Sequence, residues 1–263
     1  MIEQYTCDNG LTLLIEPMPG MKTVSMTLLS PAGASVEPAG QAGVASVLHE
    51  MIFRGAGDMD AREHSNALDH LGVRRNASVG TYFLRLSATM LGERLNDALP
   101  LLIDMLKHPK LNDESFEPSR DLSLQSIAAL EDEPQDRLMI ELRERHMGLP
   151  LGRSHLGHLE DLQKLDVDSV RKFHHEHCLP DGAVLSLAGA IEPKAIIQRI
   201  KSLTDNWQGQ PPERPAPPID NPTRVKSHHV QADSSQIHIG MAYPAVVESD
   251  PEAMTQRMAV AVL

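Results

Sequence analysis

The feature that most limits how this chain can fold is a change of composition near its end. Residues 208–222 read QGQPPERPAPPIDNP. Proline at that density keeps a backbone extended and removes the amide donors that helices and sheets need. The stretch is expected to act as a semi-rigid linker between a body over residues 1–207 and a segment over residues 223–263. The body is long enough to bury a sizeable core, whereas a segment of about 40 residues is marginal on its own. The chain therefore reads as stopping part-way into a second domain, as a fragment or a split gene would.

Within the body, hydrophobic period separates strands from helices. Leu11, Leu13 and Ile15 follow the turn pair Asn9-Gly10, and Val24, Met26 and Leu28 alternate again, so the first 30 residues are expected to be strands beginning with a hairpin. Over residues 40–57 the apolar positions Val44, Val47, Leu48, Met51 and Ile52 fall at helical spacing, with Gly55 and Gly57 as a stop. A second helix fits Asp60–Leu71, capped by Asp60 and ended by Gly72. Residues 73–90 read as two strands. Helices are expected over 91–107, 113–131, 134–147, 167–177 and 192–204, with a strand at Ala183–Ala188. Pro134 is well placed in a first turn. Grouped strands and grouped helices predict an α+β fold with helices packed on one face of a sheet. Beyond the linker, SQIHIGMAYPAV resumes a strand pattern and Asp250–Leu263 a helical one.

Charge and composition exclude several functions. The net charge of −12 argues against a nucleic-acid partner, because phosphate binding needs a basic face. It also disfavours attraction to anionic membranes. No apolar run approaches the ~20 residues of a membrane span, and the N-terminal stretch lacks the basic-then-apolar pattern of a signal peptide. Cys7 and Cys178 make neither a CxxC motif nor a disulfide framework, so a reducing, cytoplasmic setting is the expectation. There is no phosphate loop, nucleophile elbow or dinucleotide fingerprint.

The segment GVASVLHEMIFRG, Gly43 to Gly55, resembles the active-site helix of the pitrilysin/insulinase zinc peptidases, a family that includes the mitochondrial processing peptidases. Their inverted motif H-x-x-E-H puts two histidines on one helical face to bind zinc, with the glutamate as general base, and a distal glutamate completes the site. Other stretches follow in the family's order. They are GASVE (33–37), LGVRRNASVGTY (71–82), the acidic run ending at Pro134, LGHLE (156–160) and LPDGAVLSLAG (179–189). Together they span roughly residues 1–205, and the strands after the linker resemble the opening of the family's second half. The resemblance implies a mostly antiparallel sheet and a clamshell of two similar halves.

The flanks match but the chemistry does not. Ser46 stands at the first histidine, His49 at the base and Glu50 at the second histidine. In RDLSLQSI, Arg120 to Ile127, Ser126 falls at the distal glutamate. The family would bring zinc, but here its ligands are missing, so no metal or other cofactor is expected. Neighbouring His49 and Glu50 point about 100° apart on a helix, and Phe53 spoils a forward H-E-x-x-H motif. The tract HHEHC, His174 to Cys178, is read as a helix C-terminus, where histidines suit the dipole. The resemblance then implies a non-catalytic protein that holds a peptide or protein substrate as an added strand. Its candidate edge carries Asn76, Ala77 and Ser78, and its partner is a zinc-bearing family subunit or a second copy. An active peptidase with a rearranged site, or a structural core-type subunit, are the alternatives.

Overall fold

The Asn9-Gly10 turn forms as its composition demands. In the computed structural model, which describes residues 2–213, 227–231 and 236–262, Gly10 has a φ of +89° and closes a hairpin. Its strands are β1 (Glu3–Thr6) and β2 (Thr12–Pro17). The Asn9 amide also donates to the carbonyls of Thr204 and Trp207, so the turn fastens the end of the body to its beginning.

The chain then runs through β3 (Thr23–Ser30), α1 (Val44–Met51), the two-residue strands β4 (Gly55–Ala56) and β5 (Met59–Asp60), and α2 (Ala61–His70). Next come β6 (Arg74–Val79), β7 (Leu84–Leu91), α3 (Leu95–Lys107), α4 (Asp113–Ala129) and α5 (Pro134–Met147). It continues with α6 (Leu159–Lys164), α7 (Val167–His177), β8 (Val184–Gly189) and α8 (Pro193–Thr204), and α9 (Ala253–Val262) lies beyond the proline-rich stretch. Capping explains several boundaries. Asp60 makes a reciprocal capping box with Glu63, and Asn112 and Asp166 accept from the backbone amides of Ser115 and Ser169.

Six strands form one sheet in the order β1-β2-β8-β3-β7-β6. All neighbours are antiparallel except β2 and β8. One face is apolar and buried, with Leu13 and Ile15, Val24, Met26 and Leu28, Leu84 and Leu86, Leu185 and Leu187. These side chains join Val44, Leu48, Met51, Leu99, Leu102 and Phe173 from the helices in a single core. The opposite face carries Ser25, Arg74, Asn76, Ser78, Arg85 and Thr89, all exposed. This is the α+β arrangement expected, a mostly antiparallel sheet with helices against one face. β6 ends the sheet and leaves one edge open.

The strand expected after the linker does not form among residues 236–246. Ile237, Ile239, Met241 and Tyr243 alternate as a strand would, yet all four are at least 73% exposed, because no neighbouring strand supplies a ladder. The helix expected to follow is present as α9. Of the proposed linker, 208–213 carry no regular structure, and 214–222 lie outside the described residues. No helix of the described residues is long and apolar enough to cross a membrane.

Candidate functional site

Helix α1 begins at Gly43, whose φ of +105° suits glycine alone. A Cβ there would come within 2.7 Å of Leu162, and one on Gly157 within 2.4 Å of the Gly43 Cα. The two backbones are in direct contact. Gly43 has no side chain to cap the helix, so Glu37 does it from outside. Its Oε1 accepts from the amides of Gly43 (3.1 Å) and Ala45 (3.0 Å), while Asp161 accepts from Ala42 (3.0 Å). The negative group sits where the helix dipole favours it. Burial nevertheless pushes the Glu37 carboxyl up to about 7, against the two amide hydrogen bonds and the Arg153 charge, which lower it. Arg153 lies 4.0 Å from Oε2, which has no hydrogen-bond partner, and it donates to the Ala34 carbonyl. The GASVE and LGHLE segments therefore serve as the mount of α1.

Farther along α1, Ser46 is buried, and its hydroxyl lies 3.1 Å from that of Ser123 on α4. Ser123 in turn donates to the Ser119 carbonyl at 3.4 Å. Ser126 is not at this contact. It faces solvent and donates to the Leu122 carbonyl of its own helix (3.0 Å), three residues past the serine that does meet Ser46. Three residues of one helix separate a buried position from an exposed one here, and alignment by motif cannot see that difference.

His49 leaves α1 toward the sheet edge. Its Nε2 lies 3.0 Å from the Ala77 carbonyl and its Nδ1 3.3 Å from Glu50 Oε1. A carbonyl accepts only, so Nε2 carries the proton of that bond. The hydrogen bond from His49 is the main reason the Glu50 carboxyl is held low, with its partial burial opposing and the charges of His49 and Arg54 assisting. His49 and Glu50, expected to diverge on the helix, meet because both side chains are long enough to fold together.

The outermost strand can be read atom by atom. Gly80 N–H donates to the Phe83 carbonyl (2.8 Å), which makes that pair hydrogen-bonded. Bonded and non-bonded pairs alternate along an antiparallel ladder. The register Val79↔Leu84, Ser78↔Arg85, Ala77↔Leu86, Asn76↔Ser87, Arg75↔Ala88 then fixes the rest. Ser78 and Asn76 spend their amides and carbonyls on β7. Arg75, Ala77 and Val79 point theirs off the open edge. Of the three candidate residues, only Ala77 offers its backbone to an added strand, whereas Asn76 and Ser78 offer side chains on the exposed face.

These donors do not suit zinc. Two neutral hydroxyls bonded to each other and one imidazole committed to a carbonyl do not make the three-ligand open site of a zinc hydrolase. Among the described residues no three His, Cys, Asp or Glu side chains converge on a common point. The histidines at the end of α7 do structural work. His174 bonds the Leu106 carbonyl at 2.8 Å, and His177 packs on Phe173 with ring centroids 4.7 Å apart. Burial pushes the adjacent Cys178 thiol up to about 12, so it is inert.

A mostly antiparallel sheet with helices on one face, and α1 beside its edge strand, is the arrangement that the resemblance to the zinc peptidases implies. Comparison with known sequences agrees. The profile described as "Insulinase (Peptidase family M16)" matches residues 12–157, and "Peptidase M16 inactive domain" matches residues 164–263. The chain belongs to peptidase family M16. An "Uncharacterized zinc protease YmxG" of Bacillus subtilis is 30% identical over 197 residues, covering 74% of this chain and 48% of that protein. A "Probable mitochondrial-processing peptidase subunit beta" of Arabidopsis thaliana is 24% identical, over 78% of this chain and 39% of its own length. The crystal structure of a peptidase M16 inactive domain from Pseudomonas fluorescens superposes with a TM-score of 0.75 at 16% identity, covering 83% of this chain and 54% of that one. This chain thus spans about half the length of the curated relatives it matches or less.

Proposed function

We propose that this chain is a non-catalytic M16 half that binds an extended peptide or protein segment along the open edge of β6, without zinc or any other cofactor. Hydrolysis of that segment, where it occurs, is supplied by another chain carrying an intact zinc motif. The observation that carries this reading is the pairing of a spent site with a usable edge. Ser46, His49 and Glu50 are engaged with Ser123, Ala77 and each other, while Arg75, Ala77 and Val79 present backbone groups to an incoming strand. Added strands are held by such groups. The name of the Arabidopsis relative, a subunit of a processing peptidase, supports a partner of the same family. A second copy of this chain is the other candidate partner. Cys7 and Cys178, both unpaired and buried, suit a reducing compartment such as the cytoplasm.

Peptidase assays on the purified chain, with and without a metal chelator, test the catalytic half of this proposal. No turnover above background is expected, with or without chelator. Chelator-sensitive cleavage would mean that a rearranged active site operates here. Recovery from cells together with a chain bearing intact H-x-x-E-H is the expected association, whereas recovery only within a large unrelated assembly would favour a structural role.

A further inference from the structure

The chain carries both an edge that lacks a strand and a strand that lacks an edge. Residues 237–243 have an alternating sequence, with Ile237, Ile239, Met241 and Tyr243 separated by His238, Gly240 and Ala242. The four large side chains are exposed, and the backbone of 237–243 has no hydrogen-bond partner among the described residues. An exposed apolar strand of this kind is a template for pairing. One helix brings it near the turn that ends β6. A Cβ added to Gly240 would meet Leu142 at 3.0 Å and Leu138 at 3.3 Å, so the segment lies over α5. Arg143, the next residue of α5, donates to the Thr81 hydroxyl in the turn after β6. Seated on α5, the segment leaves its own β6 edge open.

We propose that residues 237–243 of one copy add as a strand to the β6 edge of a second copy, in exchange for the same segment of that copy. This rests on the reading of β6 as a strand-accepting edge. The two faces match. Residues opposite Arg75, Ala77 and Val79 share their face of the sheet, the one packed on the helices. There the half-buried Val79 and Phe53 border the edge, and Ile237, Ile239 and Met241 would cover them. His238, Gly240 and Ala242 would fall beside Asn76 and Ser78 on the exposed face. The Ala77 carbonyl accepts from His49 and keeps a second lone pair for an incoming amide. The sheet's other edge, β1, offers no such ledge: three of its four residues are exposed, and Tyr5 lies under Lys201. Peptide binding and self-association then compete for one edge, and the exchanged dimer is the closed form.

Sedimentation equilibrium on the purified chain tests this, with dimer expected to build up over about 1–100 μM. Ile239→Lys puts a charge on the face that the exchange buries and should weaken the dimer at least about tenfold. Ile239 is 80% exposed, so this variant keeps the fold of the body. Ala77→Pro removes an outward amide, spares the β7 ladder and should weaken the dimer to a similar degree. Mixing the two variants should restore a dimer, because Ala77→Pro still offers its strand and Ile239→Lys still offers its edge. Where circular dichroism shows that Ala77→Pro does not fold, a peptide alternating Thr and Val over about six residues takes its place, and it should dissociate the wild-type dimer.

A wild type that stays monomeric over that range overturns the inference, and so does a dimer that survives Ile239→Lys. A dimer that survives folded Ala77→Pro, or resists the peptide, would mean that the segments pair with each other and leave β6 alone, which also overturns it. The foundation has its own readout, anisotropy of the labelled Thr-Val peptide on Ile239→Lys, whose edge is uncovered. Peptide binding there beside a monomeric wild type keeps the strand-accepting edge and removes only the exchange. Absence of both peptide binding and complementation removes the edge reading itself.

Discussion

The cap of helix α1 and the residues it presents over 46–50 are held in different ways. At the start, the amides of residues 42–45 are all spoken for. Glu37 and Asp161 take the first amides, and Gly43 and Gly157 touch backbone to backbone. Over residues 46–50, where the family places its chemistry, Ser46, His49 and Glu50 meet a serine, a carbonyl and each other. The mount of a catalytic helix and the chemistry it carries are thus separable. Packing, burial and caps fix the first and depend on neighbours throughout the fold. Ligation fixes the second and can be replaced locally, provided each new polar side chain finds a partner.

The sharpest challenge to this contrast is to strike the mount. Glu37→Ala removes the acceptor of two buried amides and the carboxyl that faces Arg153, and it should cost about 3–5 kcal/mol in urea unfolding. Glu37→Gln, which keeps an acceptor, should cost much less. Their pH dependence should also differ. The Glu37 carboxyl lies near 7 in the folded protein against 4.5 when unperturbed, so the folded state holds the proton more tightly. The stability this provides is complete below about pH 4.5 and is lost as pH rises through about 7. The Gln variant should lack that decline. An equal decline in both would remove Glu37 from the account.

Smaller effects should follow at the contacts beside it. Gly157→Ala would drive a Cβ to 2.4 Å from Gly43 and should cost about 2 kcal/mol, read as a lowered thermal midpoint. Farther along the helix, Ser123→Ala should cost about 1 kcal/mol by leaving the buried Ser46 hydroxyl unpaired, and Ser46→Ala less, because Ser123 keeps its bond to the Ser119 carbonyl. The double variant should cost less than the two together, because both partners go at once. Ser126→Ala should stay within about 0.5 kcal/mol of wild type, since that side chain is exposed. Equal effects at Ser123 and Ser126 would overturn the placement of α4 against α1.

Much of this was legible in the sequence. Period and punctuation located most strands and helices of the body, though not α6 or the short β4 and β5, and Asp60 and Pro134 marked helix starts that the structure keeps. The family pattern found α1 and the strand bearing Ala77. What could not be read was pairing in space. β8 lies between β2 and β3, and only the sheet order brings it there. Ser123 rather than Ser126 meets Ser46 because helical phase is set by packing rather than by motif count. The two-residue alternation that turns Ala77 outward and Asn76 inward depends on the hairpin register fixed at Gly80 and Phe83. Glu37 stood in a recognised stretch, yet its task as the cap of a glycine-started helix needed coordinates.

The central proposal is that the helix on which the family carries zinc holds none in this chain. The direct measurement is elemental analysis of the purified chain after dialysis against buffer containing a trace of zinc. Zinc well below one ion per chain is the predicted result. One tightly held ion per chain, lost on substituting His49 or Glu50, would contradict it.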